Sequence, residues 1–153
     1  MFASGARTAR PWRSRDGFVF TSTSRARVSG VIADTSVWIE FLAGRSAEGL
    51  EEALADGVVV LPPLVVAELV SGVRHPREQA VVTDLMADLP VHDTPREHWV
   101  RVGALRARLR RAGLSVSTPD AHIAQCALDR DAVLLARDKV FARIARHTPL
   151  RLG

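Results

Sequence analysis

Four carboxylates, Asp34, Glu68, Asp120 and Asp138, stand out in this 153-residue chain because each lies at the end of a short apolar run or within a helical turn of small residues. Hard divalent cations take oxygen ligands, and Mg²⁺ usually keeps several waters while binding through one or two carboxylates and a substrate phosphate. Acids gathered around such a cation could orient a water, raise its acidity and neutralise charge developing on a phosphate.

Each acid also has a structural explanation. Asp34 closes the run Val31-Ile32-Ala33 and opens Thr35-Ser36-Val37-Trp38-Ile39-Glu40-Phe41-Leu42, whose apolar residues recur at helical spacing. It therefore sits at a strand-to-helix junction, either capping the helix or pointing into the crevice at the carboxyl end of a parallel sheet. Asp138 repeats the pattern between Ala132-Val133-Leu134-Leu135-Ala136-Arg137 and Val140-Phe141-Ala142-Arg143-Ile144. In Ser117-Thr118-Pro119-Asp120, Thr118 suits the N-cap and Pro119 the first helical position, leaving Asp120 in the first turn as a dipole partner or a ligand. Glu68 interrupts the apolar helix Pro63-Leu64-Val65-Val66-Ala67-Glu68-Leu69-Val70, so it needs a partner unless it faces solvent.

In this order the residues resemble a PIN domain and, within that family, a VapC-type ribonuclease toxin of a VapBC toxin-antitoxin pair. The matching segments are Asp34-Thr35-Ser36-Val37-Trp38-Ile39, Ala67-Glu68-Leu69, Asp120-Ala121-His122-Ile123-Ala124 and Leu134-Leu135-Ala136-Arg137-Asp138-Lys139-Val140-Phe141, within about residues 31 to 152. The resemblance implies a three-layer α/β/α sandwich with a central, mainly parallel sheet and a metal-dependent endoribonuclease acting through Mg²⁺ or Mn²⁺. Asp34, Glu68, Asp120 and Asp138 would be the catalytic acids. Asp34 and Asp120 lead as direct metal ligands, joined by Asp138, while Glu68 and Asp138 orient water or hold a second ion. Ser36 would hydrogen-bond within the site. The implied partners are an RNA substrate, a VapB-like antitoxin whose tail covers the acidic pocket, and a second copy of the chain.

The family's last motif commonly has a hydroxyl residue ahead of the acid and another acid two residues after it; Ala136 and Val140 occupy those places. A catalytically weakened RNA-binding or interaction module is therefore the alternative. A phosphoacceptor receiver domain would need paired acids after the first strand, and a haloacid-dehalogenase-type phosphatase a second aspartate where Ser36 stands.

To position these acids, strands are expected near residues 31–34, 58–61, 90–92, 132–135 and 149–152. Helices are expected at residues 36–43, 46–55, 63–74, 77–88, 95–112, 119–129 and 139–146. The alternation is that of an α/β fold. In the long helix Trp99, Val102, Leu105 and Leu109 form an apolar stripe expected in the core, with Arg101, Arg106, Arg108, Arg110 and Arg111 on the outer face, where they track RNA phosphates or are simply solvated. Trp38, Ile39, Phe41 and Leu42 offer more apolar surface than a small domain buries alone, which suits a dimer or an antitoxin groove.

Residues 1–30 carry six arginines and one acid, whereas the remainder has a net charge of −1, so basicity belongs to the leader and not to the domain at 31–153. The leader is expected to be a disordered basic arm or the result of a start codon assigned too early, and it lacks a signal peptide's apolar core. No stretch reaches the roughly 18 apolar residues of a membrane span, so a cytoplasmic protein is expected. The single cysteine, Cys126, reads as a buried structural thiol, and the five histidines show no paired zinc spacing.

Overall fold

The computed structural model describes residues 30–153; the expectations for the leader lie outside them. The chain alternates strands β1 (Val31–Ala33), β2 (Val133–Leu135) and β3 (Arg151–Leu152) with helices α1 (Thr35–Leu42), α2 (Glu48–Ala55), α3 (Pro63–Gly72), α4 (Pro76–Ala87), α5 (Arg96–Arg111), α6 (Thr118–Arg130) and α7 (Lys139–Ala145). The sheet order is β1-β2-β3, all parallel, with Val31 opposite Val133, Ala33 opposite Leu135 and Leu134 opposite Leu152. Beyond β1 the sheet continues as two isolated parallel bridges, Val31 to Val59 and Leu61 to Val91. This is the expected three-layer α/β/α arrangement.

Two expected strands, 58–61 and 90–92, are thus reduced to single bridges, and the last to two residues. Proline accounts for much of this. Leu61 donates to the Pro90 carbonyl at 2.9 Å and His92 donates to Leu61 at 2.8 Å, but Pro62, Pro63 and Pro90 have no N–H with which to extend the ladder. The same Pro62-Pro63 pair starts α3, where a missing N–H costs nothing in the first turn.

The core is built from Ile32, Ala33 and Leu134 of the sheet, Trp38 of α1, Leu50 of α2, Val65 and Leu69 of α3, and Phe141 and Ile144 of α7. Helix α6 is the centre of it. Ala121 through Ala127 are all buried, and the helix packs against α3, α5, α7, β1 and β2. Alanines at 121, 124 and 127 let neighbouring elements approach its backbone, so its few larger side chains meet protein on every side.

Helix α5 departs from expectation. Val102, Leu105 and Leu109 are buried, but Trp99 is 41% exposed, and His98 occupies the buried position one residue earlier. The buried position against α6 is filled by an imidazole with polar partners, Asp129 and His122. Among the described residues no helix is long and apolar enough to cross a membrane.

Candidate functional site

Strand register sets the site. The Asp34 N–H donates to the Leu135 carbonyl at 2.8 Å, so Asp34 and the segment leading from β2 to Asp138 leave the same carboxyl edge of neighbouring strands. Both aspartates cap the helices that follow. Asp34 Oδ2 accepts from the Ser36 hydroxyl at 2.8 Å and the Ser36 N–H at 3.4 Å, and Asp138 Oδ1 accepts from the Val140 N–H at 2.8 Å. Capping and a place at the sheet edge are therefore compatible. Asp34 is only 9% exposed, and its Oδ1 has no hydrogen-bond partner among the described residues. Asp138 is exposed.

Glu68 is half-buried and not alone: its Oε2 accepts from the hydroxyl of Thr35, the residue after Asp34. The sequence demanded a partner for Glu68 without showing which. Thr35 is not singled out by the sequence as that partner, although its place beside the first acid is the available signal.

Asp120 is the third residue of α6, and the cap before it is Ser117, one residue earlier than expected. The Ser117 hydroxyl accepts from the Asp120 N–H at 3.1 Å and donates to Asp120 Oδ2 at 2.5 Å, a reciprocal capping arrangement that Thr118, already helical, cannot make. The start of α6 is thereby fixed, and the helix packs on β1, which Asp34 follows, and on α3, which carries Glu68. Arg137, next to Asp138, pairs with Glu40 of α1 at 3.0 Å and straps the β2–α7 connection to α1. The structure thus links Asp34 to Glu68 through neighbouring residues and brings Asp138 to the same sheet edge, while Asp120 is held by its own cap.

Two of the α5 arginines are taken. Arg101 forms a two-pronged pair with Asp129, at 2.8 and 2.9 Å, and Arg106 donates to the Val116 carbonyl at 3.0 Å. Asp129 also accepts from His98 Nδ1 at 2.8 Å and Gln125 Nε2 at 2.8 Å. Burial opposes its ionisation, but the bonds from Arg101, His98 and Gln125 outweigh it and hold the carboxyl well below the usual range.

Because a carboxylate only accepts, His98 carries its proton on Nδ1; its Nε2 in the neutral ring then accepts from His122 Nδ1 at 2.9 Å. Trp99 stacks on His122 with ring centroids 4.7 Å apart. Burial, helped by His98 and His92, pushes His122 down to about 4. Burial likewise lowers His92, and it raises the Cys126 thiol to about 12, so the free thiol is protonated and is no nucleophile at neutral pH. Cys126 is buried as expected, but the gathering of His92, His98 and His122 around it could not be read from spacing, because the residues come from three elements.

A groove of about 630 Å³ between α1, α3 and α4 is lined by Ile39, Leu42, Leu69, Val73 and Val81, with Glu68 among its walls. Ile39 is 51% and Val81 63% exposed. Trp38, by contrast, is fully buried and adds nothing to this surface.

The geometry has counterparts among known proteins. The chain is 37% identical over 110 residues to Ribonuclease VapC32 of Mycobacterium tuberculosis, covering 71% of this chain and 85% of that protein. Its fold matches the DNA-bound VapBC structure from Salmonella typhimurium with a TM-score of 0.69 at 26% identity, over 81% of this chain and 96% of that one. VapBC2 of Rickettsia felis, bound to a promoter DNA fragment, matches with a TM-score of 0.66 at 21% identity, over 80% and 96% of the two chains. Residues 31–147, running from the first residue of β1 to just past α7 and including all four acids, match the PIN domain family, to which this chain therefore belongs.

Proposed function

We propose that the chain is a metal-dependent endoribonuclease, the toxin of a type II toxin-antitoxin pair, with Asp34, Glu68, Asp120 and Asp138 as its acidic centre. The observation that carries this reading is the shared carboxyl edge of β1 and β2, which delivers Asp34 and Asp138 together while Thr35 ties Glu68 beside Asp34. The name of the Mycobacterium tuberculosis relative supports the ribonuclease activity, and the VapBC structures support an antitoxin partner.

The donor set fits a hard divalent cation, Mg²⁺ or Mn²⁺: it is all carboxylate oxygen, and Asp34 offers an oxygen not used by its own cap. Asp34, Asp120 and Asp138 would hold the ion, which supplies charge neutralisation at the phosphate and a more acidic water. Ser36 fixes the Asp34 carboxylate in one orientation. Thr35 fixes Glu68 through Oε2, leaving Oε1 to take a proton from the attacking water as its oxygen bonds to phosphorus; that proton then goes to the departing ribose oxygen as the P–O ester bond breaks. A domain of net charge −1 has no general attraction for RNA, so approach of the phosphate depends on the bound cation.

The apolar groove reaching Glu68 is the seat proposed for the VapB-like antitoxin, whose occupation would cover the acidic centre. A smaller hollow of about 220 Å³, lined by Leu61, Val66, Val70, Met86 and Val91, is the face proposed for a second copy. The cytoplasm, where RNA is available, is the proposed compartment.

The test is cleavage of a mixed structured RNA pool by the full chain with Mg²⁺, Mn²⁺ or EDTA, comparing wild type with Asp34→Asn and Asp120→Asn. Metal-dependent cutting that both substitutions abolish is expected. Folded but equally inert wild type and variants, with no Mn²⁺ bound, would overturn the nuclease reading and leave the interaction module that Ala136 and Val140 suggest.

A further inference from the structure

The cluster around Cys126 has the composition and the supports of a second metal centre. One ligand atom from each of His92, His98 and Cys126 lies within 4.8 Å of the others, and all three residues are buried. They come from the segment after the Leu61–Val91 bridge, from α5 and from α6, so an ion there would join three elements. We propose that His92, His98 and Cys126 bind a borderline-soft divalent cation of the zinc class, separate from the acidic centre, with Asp129 as the positioning residue of His98.

His98 is already oriented for this role. Asp129 accepts a hydrogen bond from His98 Nδ1–H, so Nε2 faces inward, 4.0 Å from Cys126 Sγ, and an ion there would replace the hydrogen bond that Nε2 now accepts from His122 Nδ1. A carboxylate bonded to the far nitrogen of a ligating imidazole is the usual support of a metal-bound histidine, fixing the tautomer and raising ligand basicity. Asp129 is fixed in turn by Arg101 and Gln125.

The spacing is close to what the ion requires. With zinc–sulfur and zinc–nitrogen bonds of about 2.3 and 2.0 Å, a tetrahedral site separates sulfur from nitrogen by about 3.5 Å. The observed 4.0 Å therefore needs to close by roughly half an ångström, a small adjustment of the Cys126 side chain. His92 Nδ1 now accepts from Arg130 at 3.2 Å and its Nε2 lies 3.7 Å from Asp129, so binding the ion through either nitrogen would replace one of these contacts. His122, whose Nδ1 is 2.9 Å from His98 Nε2 and whose Nε2 is 3.7 Å from Sγ, lies beside these three and would offer a lone pair only from the nitrogen that does not carry its proton.

Nitrogen and sulfur donors also sort the two centres by metal. Thiolate with imidazole selects zinc-like ions, whereas all-carboxylate oxygen suits Mg²⁺ and Mn²⁺. Charge is compatible with this assignment, since the thiolate and Asp129 together offset a dication, and the Arg101 side chain is 47% exposed, with its charge screened by water.

The experiment exploits the fact that Cys126 is the chain's only cysteine, so a thiolate-to-metal charge-transfer band can have no other source. The full chain is titrated with Co²⁺ at neutral pH in excess Mg²⁺, which occupies the acidic centre. One equivalent should produce the band together with intense tetrahedral visible absorption, and Zn²⁺ should abolish both. His98→Gln should weaken binding by at least 100-fold, and Asp129→Asn by about 10- to 100-fold. Absence of a sulfur band in the wild type overturns the proposal whether or not the variants fold. So does Co²⁺ binding that His92→Gln and His98→Gln leave unchanged, since that would be binding at surface groups such as His75 or His147.

Discussion

Replacing Thr35 by valine tests the acidic centre through a residue that bears no charge. Valine matches threonine in shape but removes the hydroxyl that donates to Glu68 Oε2, leaving that carboxylate without its partner from α1. A hydrogen bond to a charged group contributes about 1.5–3 kcal/mol, and solvent around a half-buried glutamate reduces this to about 1–2 kcal/mol. If Glu68 must be held in place for the reaction, that loss becomes roughly a 5- to 30-fold fall in kcat/KM. The assay is the initial rate of cleavage of a labelled RNA at limiting and saturating Mg²⁺, for wild type, Thr35→Val, Thr35→Ser, Glu68→Gln and the Val/Gln double variant. Serine keeps the hydroxyl and should retain most of the activity. Glu68→Gln should lose more than Thr35→Val, and the double variant should be no worse than Glu68→Gln alone, because both substitutions act on one interaction. Wild-type rates for Thr35→Val beside an inactive Glu68→Gln would show that Thr35 does not position the glutamate. Equal damage from serine and valine would show that the hydroxyl is irrelevant.

Asp129→Ala leaves His98 Nδ1 and Gln125 Nε2 without their acceptor, so a loss of about 3 kcal/mol, or roughly 10 °C in Tm, is expected, whereas Arg101→Ala, which removes the exposed partner, should lower Tm by clearly less; equal losses in thermal unfolding would refute the account. In EDTA, stability should fall with acid, because the unfolded chain protonates His122 near pH 6.5 while the folded one resists until about 4. That linkage removes about 2 kcal/mol by pH 4.5, and Asp129, whose folded carboxyl is depressed, adds its loss only below about pH 4. Urea midpoints for wild type should therefore decline between pH 7 and 4.5 more steeply than those of His122→Gln, and parallel curves would refute the assignment. Val81→Asp places a charge on the groove's 63%-exposed valine, so it should weaken antitoxin binding by about 10- to 100-fold in calorimetry while moving Tm by no more than about 2 °C. Unchanged affinity would put the antitoxin elsewhere.

The helices were legible because apolar periodicity and prolines mark them: α3 begins on Pro63 and α4 on Pro76, and α7 follows the capping Asp138. Strands at 58–61 and 90–92 were over-read because an apolar run records burial, whereas a strand also requires N–H donors that Pro62 and Pro90 lack. Within the site, Asp34, Asp120 and Asp138 were visible at element ends, where local sequence is informative. Thr35's bond to Glu68 spans 33 positions, and the contacts of His98 with His122 and Asp129 span 24 and 31; such partners are chosen by packing, which a periodicity cannot encode.

Helix α6 explains how one small domain can hold two unlike sets of donors. Its first turn carries Asp120, with the hydroxyl of Ser117 and the positive end of the helix dipole beside it, a setting that favours carboxylate and phosphate oxygens. Its later turns carry His122 and Cys126, buried beneath α5, and Asp129 at their rim. Because residues 121 to 127 are buried on every side, the helix cannot shift at one end without disturbing packing at the other. An ion that tightened the His98–Cys126 end would therefore stiffen the element that presents Asp120, and the two centres, chemically distinct, would be mechanically joined.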